Sequence, residues 1–190
     1  MSREETNVAT LQSYAREIHK ESQALAQMVT DFLNFARPVN TSLMYDVDLT
    51  ELLGNAIAEV RNLRPGGYDV RFTAGNGAVI ACDPTLMRQS FLNLLINAVE
   101  SLDGAKGTIS VSVDTAQERG HVRAVIEDSG RGMPHDMISK IFLPFFTTKT
   151  HGTGLGLSLV QKIVLAHNGR IEVQSTEGEG TRFTIALPKS

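Results

Sequence analysis

Between Glu4 and Arg37 the sequence contains neither glycine nor proline, and apolar side chains recur along this stretch every seven residues. The apolar positions of the repeat are Leu11, Tyr14, Ile18, Leu25, Met28, Phe32 and Phe35. This spacing predicts one long amphipathic helix that packs in a bundle or a coiled coil. Glu21 interrupts the apolar stripe, and Pro38 ends the helix because the residue before a proline is disfavoured in helical geometry. Residues 1–38 are therefore predicted as a single helical element.

The sequence after Pro38 has a different pattern. Residues 39–47 read as a linker, whereas residues 48–190 alternate between helical apolar spacing and short strand-like runs. Asp83 is a predicted helix cap followed by a proline at the first helical position, and a later helix is expected from Leu155 to His167. Strands joined mostly by hairpin-length turns predict a mixed sheet with helices packed on one face. The expected fold class is α+β.

Composition excludes several classes of function. The 190 residues carry a formal net charge of -3 and no run of five Lys or Arg, which argues against a nucleic-acid partner or a polybasic membrane anchor. The single cysteine, Cys82, excludes an internal disulfide framework and a multi-cysteine zinc site. No segment approaches the roughly 20 apolar residues of a membrane span. A cytoplasmic location is expected, and a membrane anchor in a longer parent protein stays open.

Three glycines two residues apart, Gly152, Gly154 and Gly156, precede an apolar helical pattern. Glycine at this density is typical of backbone that turns tightly or approaches a ligand closely. The chain has no Gly-Lys pair, so this is not a P-loop, and Leu157 stands where a dinucleotide-binding fingerprint requires its third glycine. What remains is glycine-rich backbone that leads into a helix N-terminus, where Lys149 and Arg131 add positive charge. That arrangement suits a phosphate.

Two further stretches place polar residues where they could contact a ligand. Asn93 and Asn97 lie four residues apart on one face of a predicted helix, and an amide oxygen there suits Mg²⁺ beside a phosphate. Asp128 ends an apolar strand and is followed by Gly130 and Gly132, which suits a carboxylate that binds a ligand amine. Taken one at a time, these residues are explained equally well as a solvated helix face and a strand-ending turn.

Five stretches, in order along the chain, resemble the sequence boxes of one family. They are NLLINAVES, EDSGRG, IFLPFFTTK, GTGLGLSLV and GEGTRFTIALP, within residues 93–188. Together they resemble the ATP-binding catalytic domain of bacterial sensor histidine kinases, in the wider Bergerat (GHKL) group that includes gyrase and MutL-type ATPases. The resemblance implies a two-layer α/β sandwich with ATP and Mg²⁺ as its cofactors.

The resemblance also implies a role for each matching residue. Asn97 would be the Mg²⁺ ligand, Asn93 would lie beside it near the phosphates, and Asp128 would bind the adenine amine. The implied ATP-binding residues are Asn93, Asn97, Asp128, Gly130, Gly132, Gly152, Gly154, Leu155, Gly156 and Thr181. Lys149 joins Asn93 and Asn97 in the implied catalytic set.

Residues 130–153, called the lid segment below, would form a mobile cover over the nucleotide. Phe142, Phe145 and Phe146 are expected to pack at its base. The hydrolysing relatives carry a glutamate where this chain has Asn93, and that glutamate is their base for water. Since asparagine cannot take a proton at neutral pH, poor hydrolysis and transfer of the γ-phosphoryl group to a protein acceptor are expected.

The long helix is similar to the second helix of the dimerisation and phosphoacceptor hairpin of these kinases. The family's acceptor is a histidine on the first helix, in a His-Glu-x-x-x-Pro context, and no such stretch occurs here. His19 is followed by Lys20 and Glu21, so it is interpreted as a surface residue of the helix and not as the acceptor. The implied partners are an acceptor helix, a response regulator receiver domain and, in the full-length protein, a second copy of the chain.

Two alternative functions are left open. A serine/threonine protein kinase of the same fold, like the anti-sigma-factor kinases, would use the same nucleotide site. A nucleotide-responsive binding module would have the site without any transfer activity. The PFFTTK stretch and the bundle-type helix favour the histidine class.

Overall fold

A computed structural model describes residues 3–104, 106–115, 120–149 and 152–190. The helices are α1 Arg3–Ala36, α2 Leu49–Leu63, α3 Pro84–Ser101, α4 His135–Ile138 and α5 Gly156–Ala166. The strands are β1 Met44–Asp48, β2 Asp69–Thr73, β3 Val79–Cys82, β4 Thr108–Asp114, β5 His121–Asp128, β6 Arg170–Thr176 and β7 Gly180–Pro188. The predicted long first helix and the mixture of helices and strands after it are confirmed.

Five strands form one sheet in the order β2-β4-β5-β7-β6. The β2–β4 pair is parallel, whereas the other three pairs are antiparallel. The short connections of the β4–β5 and β6–β7 pairs explain their antiparallel arrangement, because only a crossover can join neighbouring parallel strands. The mixed sheet expected from the sequence is therefore confirmed.

Residues 39–47 were expected to form a linker, but the second half of this stretch belongs to a strand. Met44 to Asp48 form β1, which pairs with β3 in a separate two-stranded sheet. Val47 lies opposite Ile80 in this pairing and packs partly buried against the core. The pairing satisfies backbone groups on one edge of β3 that would otherwise lie unpaired next to the core.

The core lies between the five-stranded sheet and the helices α2, α3 and α5. Burial alternates strictly along β4 and β5, as expected for strands with one covered face. On β5 the inward positions are Val122, Ala124, Ile126 and Asp128. Asp128 thus continues the buried row of the strand as its last member, so the alternation itself turns this carboxyl toward the helices.

Helix α3 begins at a buried polar anchor. Asp83 accepts from the backbone N–H groups of Thr85 and Leu86 as the predicted cap, and its second oxygen accepts from Ser42 N at 3.0 Å. Burial opposes its ionisation, yet these N–H groups hold the pKa of the Asp83 carboxyl below its ordinary value. The Asp83 N–H donates to Nε2 of the buried His167 at 2.9 Å. These bonds fix the start of α3 against the end of α5.

Helix α1 contacts the rest of the chain at its C-terminal end. Lys162 on α5 donates to the carbonyl oxygens of Phe35 at 2.7 Å and Arg37 at 2.8 Å, and its ammonium lies 5.3 Å from the Phe35 ring centroid. A cation at a helix C-terminus is favourable because the last carbonyls carry partial negative charge. Farther back the apolar stripe of α1 is exposed, as at Leu11 and Ile18. Across the described ranges, no helix has the length and hydropathy to cross a bilayer.

Candidate functional site

A cleft of about 730 Å³ opens between α3, the ends of β5 and β7, and the lid segment. The sequence-predicted residues that line it are Asn93, Asn97, Asp128, Arg131, Gly132, Lys149, Gly152, Gly154, Gly156 and Thr181. Two other predicted residues lie next to the cleft without lining it. Gly130 donates its backbone N–H to Asp128, and Leu155 is buried with 1% of its surface exposed.

Asp128 lies at the inner end of the cleft, with 5% of its surface exposed. Its Oδ1 accepts from the Ser101 hydroxyl at 2.7 Å and from the Gly130 N–H at 2.9 Å. Burial raises the pKa of the Asp128 carboxyl above its ordinary value, although these donors and the Thr181 backbone act in the opposite direction. The result is a carboxyl group held in one orientation in a partly dehydrated place.

The neighbours of Asp128 come from paired strand ends. Thr181 lies directly opposite Asp128 in the β5–β7 register and is also buried. Its hydroxyl lies 3.0 Å from the Ser175 hydroxyl of β6. Ser175 in turn donates to Gly180 O at 2.8 Å and accepts from Met133 N at 2.9 Å. The Ser175 hydroxyl therefore ties the start of the lid segment to the β6–β7 hairpin.

Gly132 shows why glycine is required at this end. It has φ +62°, and a Cβ at this position would collide with the carbonyl of Thr176. Arg131, just before it, donates its N–H to Ser101 O at 3.1 Å and accepts at its carbonyl from Gly178 N at 2.7 Å. The backbone here lies too close to the hairpin for any side chain.

The two asparagines lie on the rim formed by α3. The buried stripe of this helix is Met87, Ser90, Phe91, Leu94, Leu95 and Ala98. Asn93 and Asn97 lie beside that stripe, half-buried, and both reach the cleft. Asn93 Nδ2 lies 3.5 Å from the carbonyl oxygen of Gly156, which links α3 to the start of α5. An ordinary solvated helix face does not describe these two asparagines, because both line a concave site.

Lys149 extends from the lid segment to this rim. Its ammonium donates to Asn97 Oδ1 at 2.6 Å and to Glu100 Oε2 at 2.5 Å. The other oxygen of Glu100 lies 3.2 Å from Nη2 of Arg64, the residue that follows α2. Asn97 and Glu100 thus present two oxygen atoms to one cation, which is the chemistry that a hard divalent cation also requires.

The glycine-rich loop forms the opposite wall. Gly154 has φ +67°, its carbonyl accepts from Phe145 N at 3.0 Å, and its Cα lies against the Phe145 backbone. Helix α5 begins at Gly156 with no side-chain cap, and Gly156 faces the cleft. The first turn of α5 thus keeps backbone N–H groups that no side chain of a described residue occupies, as suits an anion.

The lid segment differs from the expected loop in two respects. One difference is that it contains the short helix α4. Ile141 is buried, and the partly buried Phe142 and Phe146 pack against the core as expected. Phe145 does not join them. It has φ +66° and 60% of its surface exposed, because the backbone turn that holds Gly154 points its side chain outward.

Several residues that line the cleft were not predicted from the sequence. Ser101 and Glu100 end α3 inside a matched stretch, so helical spacing from Asn97 could have suggested both. Asp31 belongs to α1 and accepts from the Thr153 hydroxyl at 2.9 Å, 122 positions away in sequence. No local pattern carries a signal for that contact. Among the described residues, no group of three His, Cys, Asp or Glu side chains could hold a metal ion.

Comparison with known proteins gives a consistent result. Residues 82–190 match the family described as histidine kinase-, DNA gyrase B-, and HSP90-like ATPase. The chain is 40% identical over 179 residues to the sensor histidine kinase ZraS of Escherichia coli O157:H7, which covers 92% of this chain and 38% of ZraS. The chain therefore spans well under half the length of this relative.

Two solved structures resemble the fold over nearly the whole chain. Full-length ShkA in complex with AMPPNP superposes with a TM-score of 0.78 and 27% identity, covering 93% of this chain and 38% of that one. Histidine kinase ThkA in complex with response regulator protein TrrA gives a TM-score of 0.78 and 28% identity, covering 95% and 52%. In both cases the likeness extends beyond residues 82–190.

Proposed function

The chain belongs to the family of histidine kinase-, DNA gyrase B- and HSP90-like ATPases, and from that premise we propose that it binds Mg²⁺ and ATP in the cleft and transfers the γ-phosphoryl group to a histidine on a separate protein helix. One observation carries the proposal. A buried carboxyl at the end of β5 and a rim of amide oxygens on α3 face the same cleft, whose third wall is glycine-rich backbone. These three parts suit an adenine amine, a metal ion and a polyphosphate, respectively.

Asp128 would accept the hydrogen bond from the adenine exocyclic amine. The bonds from Ser101 and Gly130 fix its orientation before any ligand arrives, so little ordering is needed on binding. A guanine presents a carbonyl oxygen at the corresponding position, which a carboxylate repels. The site is therefore expected to prefer ATP and ADP over GTP.

Asn97 would hold Mg²⁺ through its amide oxygen, and Mg²⁺ would neutralise charge on the phosphates. The residues fit such an ion because the Asn97 and Glu100 oxygen atoms already surround one positive charge, the Lys149 ammonium. The backbone of Gly152, Gly154 and the start of α5 would hold the phosphate oxygens, with Lys149 close to the terminal phosphate.

Asn93 occupies the rim position where a catalytic base for water would stand. Its neutral amide can neither accept nor release a proton at physiological pH. Catalysis would then depend on positioning and electrostatic stabilisation, with the nucleophile supplied by the acceptor protein. Slow hydrolysis of ATP by the chain alone is the expected consequence.

His19 is poorly placed to be that acceptor. It is exposed on α1, and Asp31, the α1 residue that contacts the glycine-rich loop, lies twelve positions farther along the helix. At the helical rise per residue this separates the two residues by about 18 Å along the axis. The exposed apolar stripe of α1 supports a missing hairpin helix as the carrier of the acceptor, and a dimer in the full-length protein.

A response regulator is the proposed recipient of the phosphoryl group, since the similar ThkA structure contains response regulator protein TrrA. A cytoplasmic location is part of the same proposal, and a membrane anchor in a longer parent protein stays open. The serine/threonine kinase and the binding module are the competing functions. The histidine kinase, the serine/threonine kinase and the binding module differ in the phosphoprotein product that forms. The acid stability of that product therefore distinguishes the three functions.

The test is incubation with γ-labelled ATP and Mg²⁺, with and without a separately supplied acceptor hairpin from a sensor histidine kinase. We expect acid-labile, alkali-stable label on the supplied hairpin and none on the chain itself. The label on the hairpin should be absent when the chain carries Asn97→Ala. Label on the chain by itself that disappears in His19→Ala would contradict the missing acceptor. Acid-stable label would indicate the serine/threonine class, and no label despite ATP binding would indicate the binding module.

A further inference from the structure

The Lys149 ammonium lies where a metal ion is proposed to bind. It is 2.6 Å from Asn97 Oδ1 and 2.5 Å from Glu100 Oε2, and Arg64 approaches the remaining Glu100 oxygen at 3.2 Å. The Lys149 and Glu100 side chains are about one third exposed, at 35% and 33%. The pair is therefore partly solvated, and a contact of this kind can be exchanged for another at little cost.

Mg²⁺ and this ammonium compete for Asn97. The ion takes oxygen ligands at about 2.0–2.1 Å and carries two charges. An amide oxygen has two lone pairs, so geometry alone would allow both cations. Their mutual repulsion does not, because both would lie within a few ångströms of one oxygen atom in a partly dehydrated cleft. Binding of the metal at Asn97 therefore requires the Lys149 ammonium to leave.

The backbone around Lys149 limits where the ammonium can go. The Lys149 N–H donates to Thr147 Oγ1 at 3.1 Å, and its carbonyl accepts from Gly152 N at 3.2 Å. The side chain can thus move while this turn stays in place. A γ-phosphate offers the displaced ammonium a new anionic partner, whereas ADP has no such group.

From these contacts we propose that Glu100 and Lys149 determine how well the cleft distinguishes ATP from ADP. In the empty cleft Glu100 holds the Lys149 ammonium against Asn97. Mg·ADP displaces the ammonium from Asn97 and lacks the γ-phosphate, whereas Mg·ATP displaces it and accepts it again at the γ-phosphate. Glu100 is a positioning residue in this scheme, because it acts through Lys149. The inference rests on the proposed function, which supplies the nucleotide and the metal.

The experiment is calorimetric titration of ADP and ATP, each with excess Mg²⁺ and with EDTA. Lys149→Met removes the ammonium and keeps the apolar stem. We expect it to tighten Mg·ADP binding by about two- to fivefold, the size of a partly exposed ion pair. Mg·ATP should not gain, and its binding should weaken. With EDTA the gain for ADP should vanish, because only the metal displaces Lys149 from Asn97.

Glu100→Gln tests whether Glu100 acts through Lys149. We expect it to tighten Mg·ADP binding in the wild-type background and to have a smaller effect when combined with Lys149→Met. The matched control is Glu59→Gln. Glu59 of α2 pairs with Arg88 of α3 at 2.6 Å, and this ion pair lies outside the cleft. This control should leave all the affinities unchanged.

The possible outcomes distinguish a failure of the proposed function from a failure of the role given to Glu100 and Lys149. A wild-type chain that binds neither nucleotide would overturn the proposed function. A chain that binds both, with Mg·ADP no tighter in Lys149→Met or with an equal gain in EDTA, would overturn this inference alone. An equal effect of Glu100→Gln in both backgrounds, or the same gain in Glu59→Gln, would also overturn it.

Discussion

The two ends of the cleft are built from different kinds of contact. At the inner end, Asp128 is buried, and its partners are a hydroxyl and backbone groups fixed by paired strands and by the end of α3. At the outer end, Asn97, Glu100 and Lys149 meet through side chains that stay partly exposed. The inner end thus has its final shape without a ligand, whereas the outer end must rearrange to accept one.

This difference fits the two parts of a nucleotide. An adenine ring is rigid and neutral, so a fixed carboxyl can recognise it without moving. A polyphosphate with its metal carries high charge and changes during phosphoryl transfer, so the groups around it must exchange partners. Each of the following predictions tests whether the inner end is rigid and the outer end adaptable.

The largest effect is expected at Asp128. Asp128→Asn replaces an acceptor by an amide whose NH₂ faces the adenine amine, and the buried mismatch should weaken ATP and ADP binding by about a hundredfold or more. Both nucleotides should lose the same factor, because the change lies at the end that they share. Calorimetry of both nucleotides in the presence of Mg²⁺ measures this.

The control for Asp128→Asn is Glu127→Gln. Glu127 is the preceding residue of the same strand, but it points outward and pairs with Arg182 at 2.7 Å. This variant should bind both nucleotides as the wild type does. Unequal losses for ATP and ADP in Asp128→Asn, or equal ATP and GTP affinity in the wild type, would contradict the assignment of Asp128 to the adenine.

A smaller effect, on stability, is expected at Gly132. Gly132→Ala places a methyl group against the Thr176 carbonyl at φ +62°, which should lower the free energy of unfolding by about 1–3 kcal/mol. Gly178→Ala is the matched control, since Gly178 also has a positive φ, +84°, but faces open space. It should cost less, about 1 kcal/mol. Denaturant unfolding compares the two.

The outer end should respond differently to the same change. Gly156 has no neighbour closer than 3.9 Å to an added Cβ and lies in the first turn of α5. Gly156→Ala should leave stability unchanged or slightly higher, because alanine favours the helix. If Gly156→Ala destabilised the chain as much as Gly132→Ala, the contrast between the two ends would be wrong.

The sequence predicted the inner end better than the outer one. Strand periodicity and the cluster of glycines placed Asp128, Gly130 and Gly132 together, because neighbours in sequence remain neighbours at a strand end. The α3 spacing likewise placed Asn93 and Asn97 on one face.

Contacts between distant segments could not be predicted in this way. The approach of Lys149 to Glu100 depends on how the lid segment folds back, and the Asp31 contact with Thr153 depends on how α1 docks. The resemblance implied that Phe145 packs at the base of the lid segment, whereas its positive φ beside the Gly154 turn directs the ring outward. Periodicity reports local geometry and contains no information on such pairings.

The smallest effect is expected within the lid segment, where the boundary between the fixed and the adaptable part can be located. Residues 137–146 carry several local backbone hydrogen bonds, including Ile141 N to Met137 O at 3.2 Å and Phe146 N to Leu143 O at 3.2 Å, around the buried Ile141. Beyond Phe146 the contacts of the described residues include those of the Lys149 side chain and the backbone bond from Gly152 N to Lys149 O at 3.2 Å. Amides with few buried anchors open at low free-energy cost, and a ligand that orders them slows their exchange.

Hydrogen exchange measured with and without Mg²⁺ and a non-hydrolysable ATP analogue therefore distinguishes two halves of the lid segment. The amides of Ile141, Leu143 and Phe146 should exchange slowly in both states, because their hydrogen bonds lie within this segment beside the core. Amides of Thr147 to Lys149, and of Gly152 and Thr153, should exchange faster in the free chain and slow by a few-fold on binding, since their order depends on charges that the nucleotide supplies. Equal exchange of the second group in both states would mean that the outer end is as preformed as the inner end. Fast exchange of the first group would move the boundary back to Gly132, because the α4 region would then belong to the adaptable part.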